Sequence, residues 1–230
     1  MAFSPVPTAP PVPTAAPVSP GAATSTAALG SGRATVLVAA ARALVTETGT
    51  SAFTVAEVAR RAGVSLKGFY ATYRAKDDLL VALLAADSEI GAALVDAAVG
   101  AAPDPEAKLR AWIRGICDLA ARPEARGYAW LLAREVRRLA DERPASLEAA
   151  LAVWTTRLRD LVAAVGSSDP DRDARIVFAL VIDTIHEVTR GLVDLDDHPD
   201  HPDHPRRPDH IDHLGDFVLR ALAGTDRRIP

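Results

Sequence analysis

Residues 54–76 read Thr-Val-Ala-Glu-Val-Ala-Arg-Arg-Ala-Gly-Val-Ser-Leu-Lys-Gly-Phe-Tyr-Ala-Thr-Tyr-Arg-Ala-Lys. Thr54 and Glu57 form the pattern Thr-x-x-Glu, a capping box that opens a short helix. Val55, Val58, Ala59 and Ala62 make the inner stripe of that helix. Gly63 ends it, because a tight turn between helices needs a residue that tolerates positive φ. Ser65 then caps another short helix, on which Phe69 and Tyr73 share a face one turn apart. Ala59 is small where the two helices would cross, and Phe69 is bulky enough to lock their angle. Val58, Ala62 and Val64 fill the remaining inner positions. The span Ser65 to Tyr73 is expected to protrude as one helical rod.

Two short helices joined this way form a helix-turn-helix, whose second helix fits the major groove of duplex DNA while the first lies across the backbone. The face opposite Phe69 and Tyr73 is left for that partner. It carries Leu66, Lys67, Gly68, Tyr70, Ala71 and Thr72. Lys67 suits guanine O6 and N7 or a phosphate, and Gly68 would let the backbone approach the groove. The hydroxyls of Tyr70 and Thr72 have the reach of phosphate oxygens. Thr54, Ser65 and Lys76 stand at helix starts, where amides and the dipole favour a phosphate. Arg33, at the expected start of the preceding helix, is a further phosphate candidate.

Charge agrees with this reading. From Ser31 to Lys76 there are seven basic residues and two acidic ones, although the whole chain carries a net charge of −4. A basic module therefore sits on an acidic remainder, the asymmetry expected of nucleic-acid binding at one end.

Working outward, residues 1–32 are rich in Pro, Ala, Thr and Ser, and read as a disordered tail with polyproline character. The opening residues lack the basic start and continuous apolar run of a signal peptide. From Arg33 to Gly49, Leu37, Ala40, Ala41, Leu44 and Val45 fall on one helical face. After residue 75 a longer helix runs from Lys76 to about Val99. Further helices are expected at about 105–122, 124–140, 145–165, 170–195 and 208–223, separated by Pro105, Pro123, Pro144, the run 166–170 and a His-Pro-Asp repeat. Nothing between Arg33 and Gly224 pairs as strands. An apolar content of 49 % with only 5 % aromatics fits a large all-α core. The expected order is a tail at 1–32, a head at 33–80, a larger helical domain at 81–224 and a tail at 225–230.

The helix from Asp171 is apolar nearly all round. Val177, Val181, Ile185, Val188 and Leu192 make one stripe, with Ile176, Phe178, Leu180 and Ile182 on the rest. Such a helix must be covered on both sides. Paired with the last helix (Ile211, Leu214, Phe217, Val218, Leu222), it predicts a homodimer through a four-helix interface.

The stretch from Arg33 to Leu80 resembles the DNA-binding domain of the TetR family of regulators. The matching residues are Thr54-Val55, Val58-Ala59, Ala62-Gly63-Val64-Ser65, Phe69-Tyr70, Tyr73, Lys76 and Leu79-Leu80. Tyr73 stands where the family usually has phenylalanine. Gly68 stands where threonine or asparagine is commoner, which weakens any base contact from that position. The resemblance implies a three-helix head, a larger helical domain that dimerises through its last two helices, and a pocket there. Ligand binding in that pocket would respace the two heads and release a near-palindromic operator. Residues that often line such a cavity are Trp112, Ile116, Tyr128, Trp130, Leu131, Trp154, Phe178 and Ile182, with His186 as a polar neighbour. Their chemistry points to an apolar or aromatic ligand.

Other classes fare worse. No nucleophile lies beside a placed base, and there is no glycine-rich phosphate loop and no His-Glu metal helix, so an enzyme is not expected. A helical ligand-binding carrier or enzyme without an operator, or an interaction module using the proline-rich tail, remain as alternatives. The repeat at 198–205 holds His and Asp, but its prolines keep it extended, so it reads as a solvated loop and not a metal site. No cofactor is expected. The lone Cys117 excludes an internal disulfide and fits a core position in a cytoplasmic protein. No stretch is long and apolar enough to span a membrane.

Overall fold

The computed structural model describes residues 23–122, 125–189 and 210–224. Among them the chain forms α1 (Ala23–Thr48), α2 (Val55–Arg61), α3 (Leu66–Tyr70), α4 (Lys76–Ala101) and α5 (Pro105–Ala121). These are followed by α6 (Arg126–Glu142), α7 (Pro144–Ala164), α8 (Pro170–Thr189) and α9 (His210–Gly224). No described residue is in a strand, and no described helix is long and apolar enough to cross a membrane.

Prolines set the joints. Pro105 and Pro144 occupy first-turn positions of α5 and α7, where the missing amide costs nothing. Asp104 Oδ1 accepts from the Ala107 amide at 2.8 Å and caps α5. Asp169 Oδ1 does the same for the Arg172 amide at 3.2 Å, at the start of α8.

Two expectations need correction. Helix α1 begins at Ala23, well before Arg33. Residues 23–32 contain no proline, so nothing stops the helix from propagating backward, and each glycine there costs only about 1 kcal/mol. The rest of the expected tail lies outside the described residues, as does the His-Pro-Asp repeat. Second, α3 is no rod to Tyr73; it stops at Tyr70. Both the Thr72 and Tyr73 amides turn back to the Phe69 carbonyl at 2.8 Å. The next two amides, Arg74 and Ala75, donate to Asp78 Oδ2 at 3.0 Å each and so begin α4. The carboxylate of Asp78 wins those amides for α4 because a charged acceptor makes the stronger bond.

Helix α4 is the spine. It packs against α1 at its start and against α5 and α7 further on, while α8 lies on α5, α6 and α7 and α9 lies on α5. One buried cluster joins Leu37, Val45, Val58 and Phe69 of the head to Leu79 and Leu83 of α4, and also to Leu131, Leu139 and Leu147 of the body. The other holds Trp112, Ile113, Leu158, Val181, Ile211 and Val218. The head is thus seated on the body through shared apolar packing.

Candidate nucleic-acid interface and cavity

The turn between α2 and α3 follows from local bonding. The Glu57 amide donates to Thr54 Oγ1 at 3.2 Å, and the Thr54 amide donates to Glu57 Oε2 at 2.6 Å. The Thr54 amide, and the Thr54 hydroxyl that donates to Glu57 Oε2 at 2.9 Å, hold the Glu57 carboxyl below the usual carboxylate range. At the other end Gly63 has φ of +66°. Its amide donates to the Arg60 carbonyl at 3.2 Å, and the Val64 amide reaches the Ala59 carbonyl at 2.9 Å. That pair of bonds is a Schellman ending, which needs the left-handed backbone glycine supplies. Ser65 Oγ then accepts from the Gly68 amide at 3.0 Å and starts α3.

Phe69 is fully buried and pins α3 to the head. Its ring meets Tyr70 edge-on at 5.3 Å and Tyr73 at 5.9 Å. The opposite face is open. Leu66 is 50 % and Tyr70 57 % exposed, and Lys67 is exposed between them. Three- and four-residue spacing places these side chains on one face. An exposed leucine and tyrosine beside a lysine make a surface that is apolar at its centre and basic at its edge.

The remaining candidate residues stand around that face. Ser65 and Thr54 are exposed, and both hydroxyls are held by their helix caps. Thr72 Oγ1 donates to the Gly68 carbonyl at 3.0 Å. A Cβ at Gly68 would stand 2.8 Å from Val64 Cγ1 and 3.3 Å from Ser65 Oγ. The close approach that glycine permits is therefore to the protein's own turn. Arg33 is half-buried, with its Cδ on the same side of Gly68. Lys76 Nζ donates to the Ser51 carbonyl and lies 4.6 Å from the Phe53 ring centroid, so its ammonium is held inside the head. Burial pushes its pKa down, against the pull of Glu135 and Asp77.

A cavity of about 460 Å³ lies between α4, α5, α6, α7 and α8 of the body, with Arg42 of α1 closing one side. Ile116, Tyr128, Trp154, Phe178 and Ile182 line it, as do Leu84, Leu132 and Ile185. Trp112, Trp130, Leu131 and His186 are not in its wall. Trp112 is buried behind the wall, edge-on to Trp154 at 6.1 Å. Leu131 belongs to the core that joins head and body, and Trp130 lies under the Arg134 guanidinium at 5.6 Å. His186 Nδ1 and Trp112 Nε1 are buried without hydrogen-bond partners.

Sequence reasoning missed the α1 and α4 side of the wall: Arg42, Asp87, Ser88 and Gly91. A signal was present, since Asp87, Ser88, Glu89 and Gly91 interrupt an otherwise apolar stretch of α4. Gly91 has a steric reason, because a Cβ there would stand 2.9 Å from Trp154 Cζ2. Arg42 Nε donates to Asp87 Oδ1 at 2.8 Å, and the Tyr128 hydroxyl donates to Asp87 Oδ2.

A helix-turn-helix head with an exposed second helix, seated on a helical body with an apolar cavity, defines a class of DNA-binding regulator. Residues 37–83 match the sequence model of the family described as bacterial regulatory proteins, tetR family. No curated protein matches the chain. Solved structures share its fold. The regulator FadR from Bacillus subtilis, in complex with stearoyl-CoA, is 16 % identical, with a TM-score of 0.58 over 84 % of this chain and 99 % of that one. RolR in complex with resorcinol is 16 % identical, with a TM-score of 0.60 over 89 % of this chain and 98 % of that one. A TetR-family regulator from Streptomyces coelicolor is 22 % identical, with a TM-score of 0.52 over 84 % of this chain and 94 % of that one.

Proposed function

We propose that this chain is a homodimeric cytoplasmic repressor that leaves its operator when a small, largely apolar molecule enters the cavity. One observation carries the reading. The same chain pairs an open Leu66-Lys67-Tyr70 face on a helix-turn-helix with an apolar cavity whose wall includes Arg42 of the head. The ligands named for FadR and RolR, stearoyl-CoA and resorcinol, support a ligand role for a body of this shape.

On this reading Lys67 and Tyr70 contact the duplex directly, with Leu66 against base methyls. Arg33, Thr54, Ser65 and Thr72 flank that contact on the phosphate side, while Gly68 packs on its own turn and the Lys76 ammonium stays within the head. Helices α8 and α9 carry Ile176 and Phe217, which are 53 % and 52 % exposed. Large apolar side chains turned outward on these two helices favour a second copy of the chain as their cover. Two heads related by a two-fold axis would select a near-palindromic site. The protein would act by binding alone, without catalysis.

The test is operator selection from a random duplex pool with purified protein, followed by titration of the selected site. Affinity should fall steeply with salt. Lys67→Ala and Tyr70→Ala should each weaken binding by about 1–3 kcal/mol. Unaltered affinity in both folded variants would remove α3 as the reading helix. A monomer in sedimentation would remove the dimer.

A further inference from the structure

The polar end of the cavity is assembled from three helices. Arg42 comes from α1, Asp87 from α4 and Tyr128 from α6. Arg42 Nε and Nη2 both donate to Asp87 Oδ1, at 2.8 and 2.5 Å. Asp87 Oδ2 accepts from the Tyr128 hydroxyl. Both carboxylate oxygens are therefore occupied, whereas a guanidinium has five N–H donors and this pair uses two of them. Burial, and then the Asp87 charge, push the Tyr128 phenol well above its ordinary range, so it stays uncharged. Among the described residues of the wall, Arg42 and Asp87 are the only charged ones, and their charges cancel. Ser88 adds a hydroxyl; the rest of the wall is almost wholly carbon, from residues such as Leu84, Ile116, Trp154 and Ile182.

We infer that the cavity selects an uncharged molecule with an apolar body and one hydrogen-bond acceptor, a carbonyl of the ketone, ester or amide class, seated on Arg42. This rests on the ligand-responsive reading above. A ligand carboxylate would set a second negative charge beside Asp87, with no further cation among the described wall residues to balance it. A ligand ammonium would meet Arg42, and would find Asp87 already engaged by three donor bonds. A neutral acceptor takes the spare guanidinium donors and leaves the charge balance as it was.

The cavity length suits such a molecule. The wall residues of α4 run from Leu84 to Gly91, roughly 10 Å of helix at 1.5 Å per residue. Decan-2-one, decanoate and decylamine are probes of matched length that differ only in the head. Trp154 lines the cavity and Trp112 packs edge-on against the Trp154 indole, so tryptophan emission of the full chain reports binding without any DNA. Decan-2-one should bind about tenfold or more tightly than either charged probe at neutral pH, the worth of a charge-assisted hydrogen bond. Arg42→Met should lose that preference. Tyr128→Phe keeps the ring, frees Asp87 Oδ2, and should shift the ranking toward decylamine, which keeps the test open if Arg42→Met does not fold.

Equal or tighter binding of decanoate overturns the proposal, and so does the absence of any response to all three probes. Operator release by an anionic ligand would leave the regulator reading standing while overturning this one. Failure to bind any duplex would do the reverse, because the fluorescence ranking does not depend on DNA.

Discussion

Ser51 Oγ donates to Glu135 Oε1 at 2.7 Å, joining the α1–α2 loop of the head to α6 of the body across 84 residues of sequence. Glu135 is only 3 % exposed. A buried carboxylate persists where donors satisfy it, and here Arg138 Nε supplies another at 2.8 Å. Arg138 also donates to Asp77 Oδ1 at 2.6 Å and to Glu142 Oε2 at 2.6 Å. Arg143 Nη1 reaches Asp78 Oδ1 at 2.6 Å. One side of α6, with Tyr128, Leu132 and Val136, therefore faces the cavity. Another side, with Glu135 and Arg138, grips the head. A ligand that displaces α6 would act on both.

Glu135→Ala tests that grip. It strands the Ser51 hydroxyl and removes a partner of Arg138. The cost should be about 1–3 kcal/mol, less than for a fully buried pair because Arg138 is partly in water. Denaturant unfolding measures it. Ligand-driven operator release should weaken in the same variant while operator affinity without ligand is kept. A variant as stable and as responsive as the parent would show that the contact transmits nothing.

Much of the head was legible because its signals are local. Thr54 with Glu57, Gly63, Ser65 and Phe69 act over three or four residues, and each does what its chemistry demands. Prolines 105, 144 and 170 mark helix starts for the same reason. The cavity was only half legible. An apolar side chain reads alike whether it meets the core, as Leu131 does, or a void, as Ile182 does. The residues that give the cavity its polar end act across the chain: Arg42 and Asp87 are 45 positions apart. No periodicity of either helix announces such a pair. The shortness of α3 escaped too, because the Arg74 and Ala75 amides that would carry the helix onward are claimed by Asp78 of the next helix.

Gly63→Ala probes the turn. The residue sits at φ of +66° with nothing within 4 Å of the added Cβ. The effect is therefore backbone strain alone. An alanine in the left-handed region should cost about 1–2 kcal/mol. A change below about 0.3 kcal/mol in chemical denaturation would mean the turn adapts without strain.

Gly68→Ala probes packing instead. Its Cβ would meet Val64 Cγ1 at 2.8 Å. Valine is stiff at χ1 and cannot swing its methyl aside cheaply. Overpacking of this kind costs about 1–3 kcal/mol, and tilting α3 to relieve it would also weaken operator binding. The double variant Val64→Ala, Gly68→Ala should recover part of both losses. If the second change recovers nothing, the clash is not with Val64.

Gly91→Ala addresses the cavity without touching its polar end. The new Cβ would stand 2.9 Å from Trp154 Cζ2, so the indole must shift within the wall. The expected outcome is altered tryptophan emission and weaker ligand binding, with operator affinity retained. Unchanged emission and ligand affinity would show that Trp154 does not rest on α4 in solution.

Asp77 gives a pH dependence with a definite sign. Its hydrogen bonds from Arg138 hold its carboxyl below the ordinary value of 3.8. A carboxyl whose pKa is lower folded than unfolded stabilises the fold fully above the unfolded value. That contribution fades as pH falls through the folded value. Arg138→Met removes the donor, so Asp77 then titrates nearer its ordinary range in both states. The parent should therefore lose more stability than Arg138→Met between about pH 5 and pH 3. Urea titrations of both proteins across that window measure the difference. Parallel acid limbs would mean that the Arg138–Asp77 pair, though well placed, is screened by solvent to no net effect.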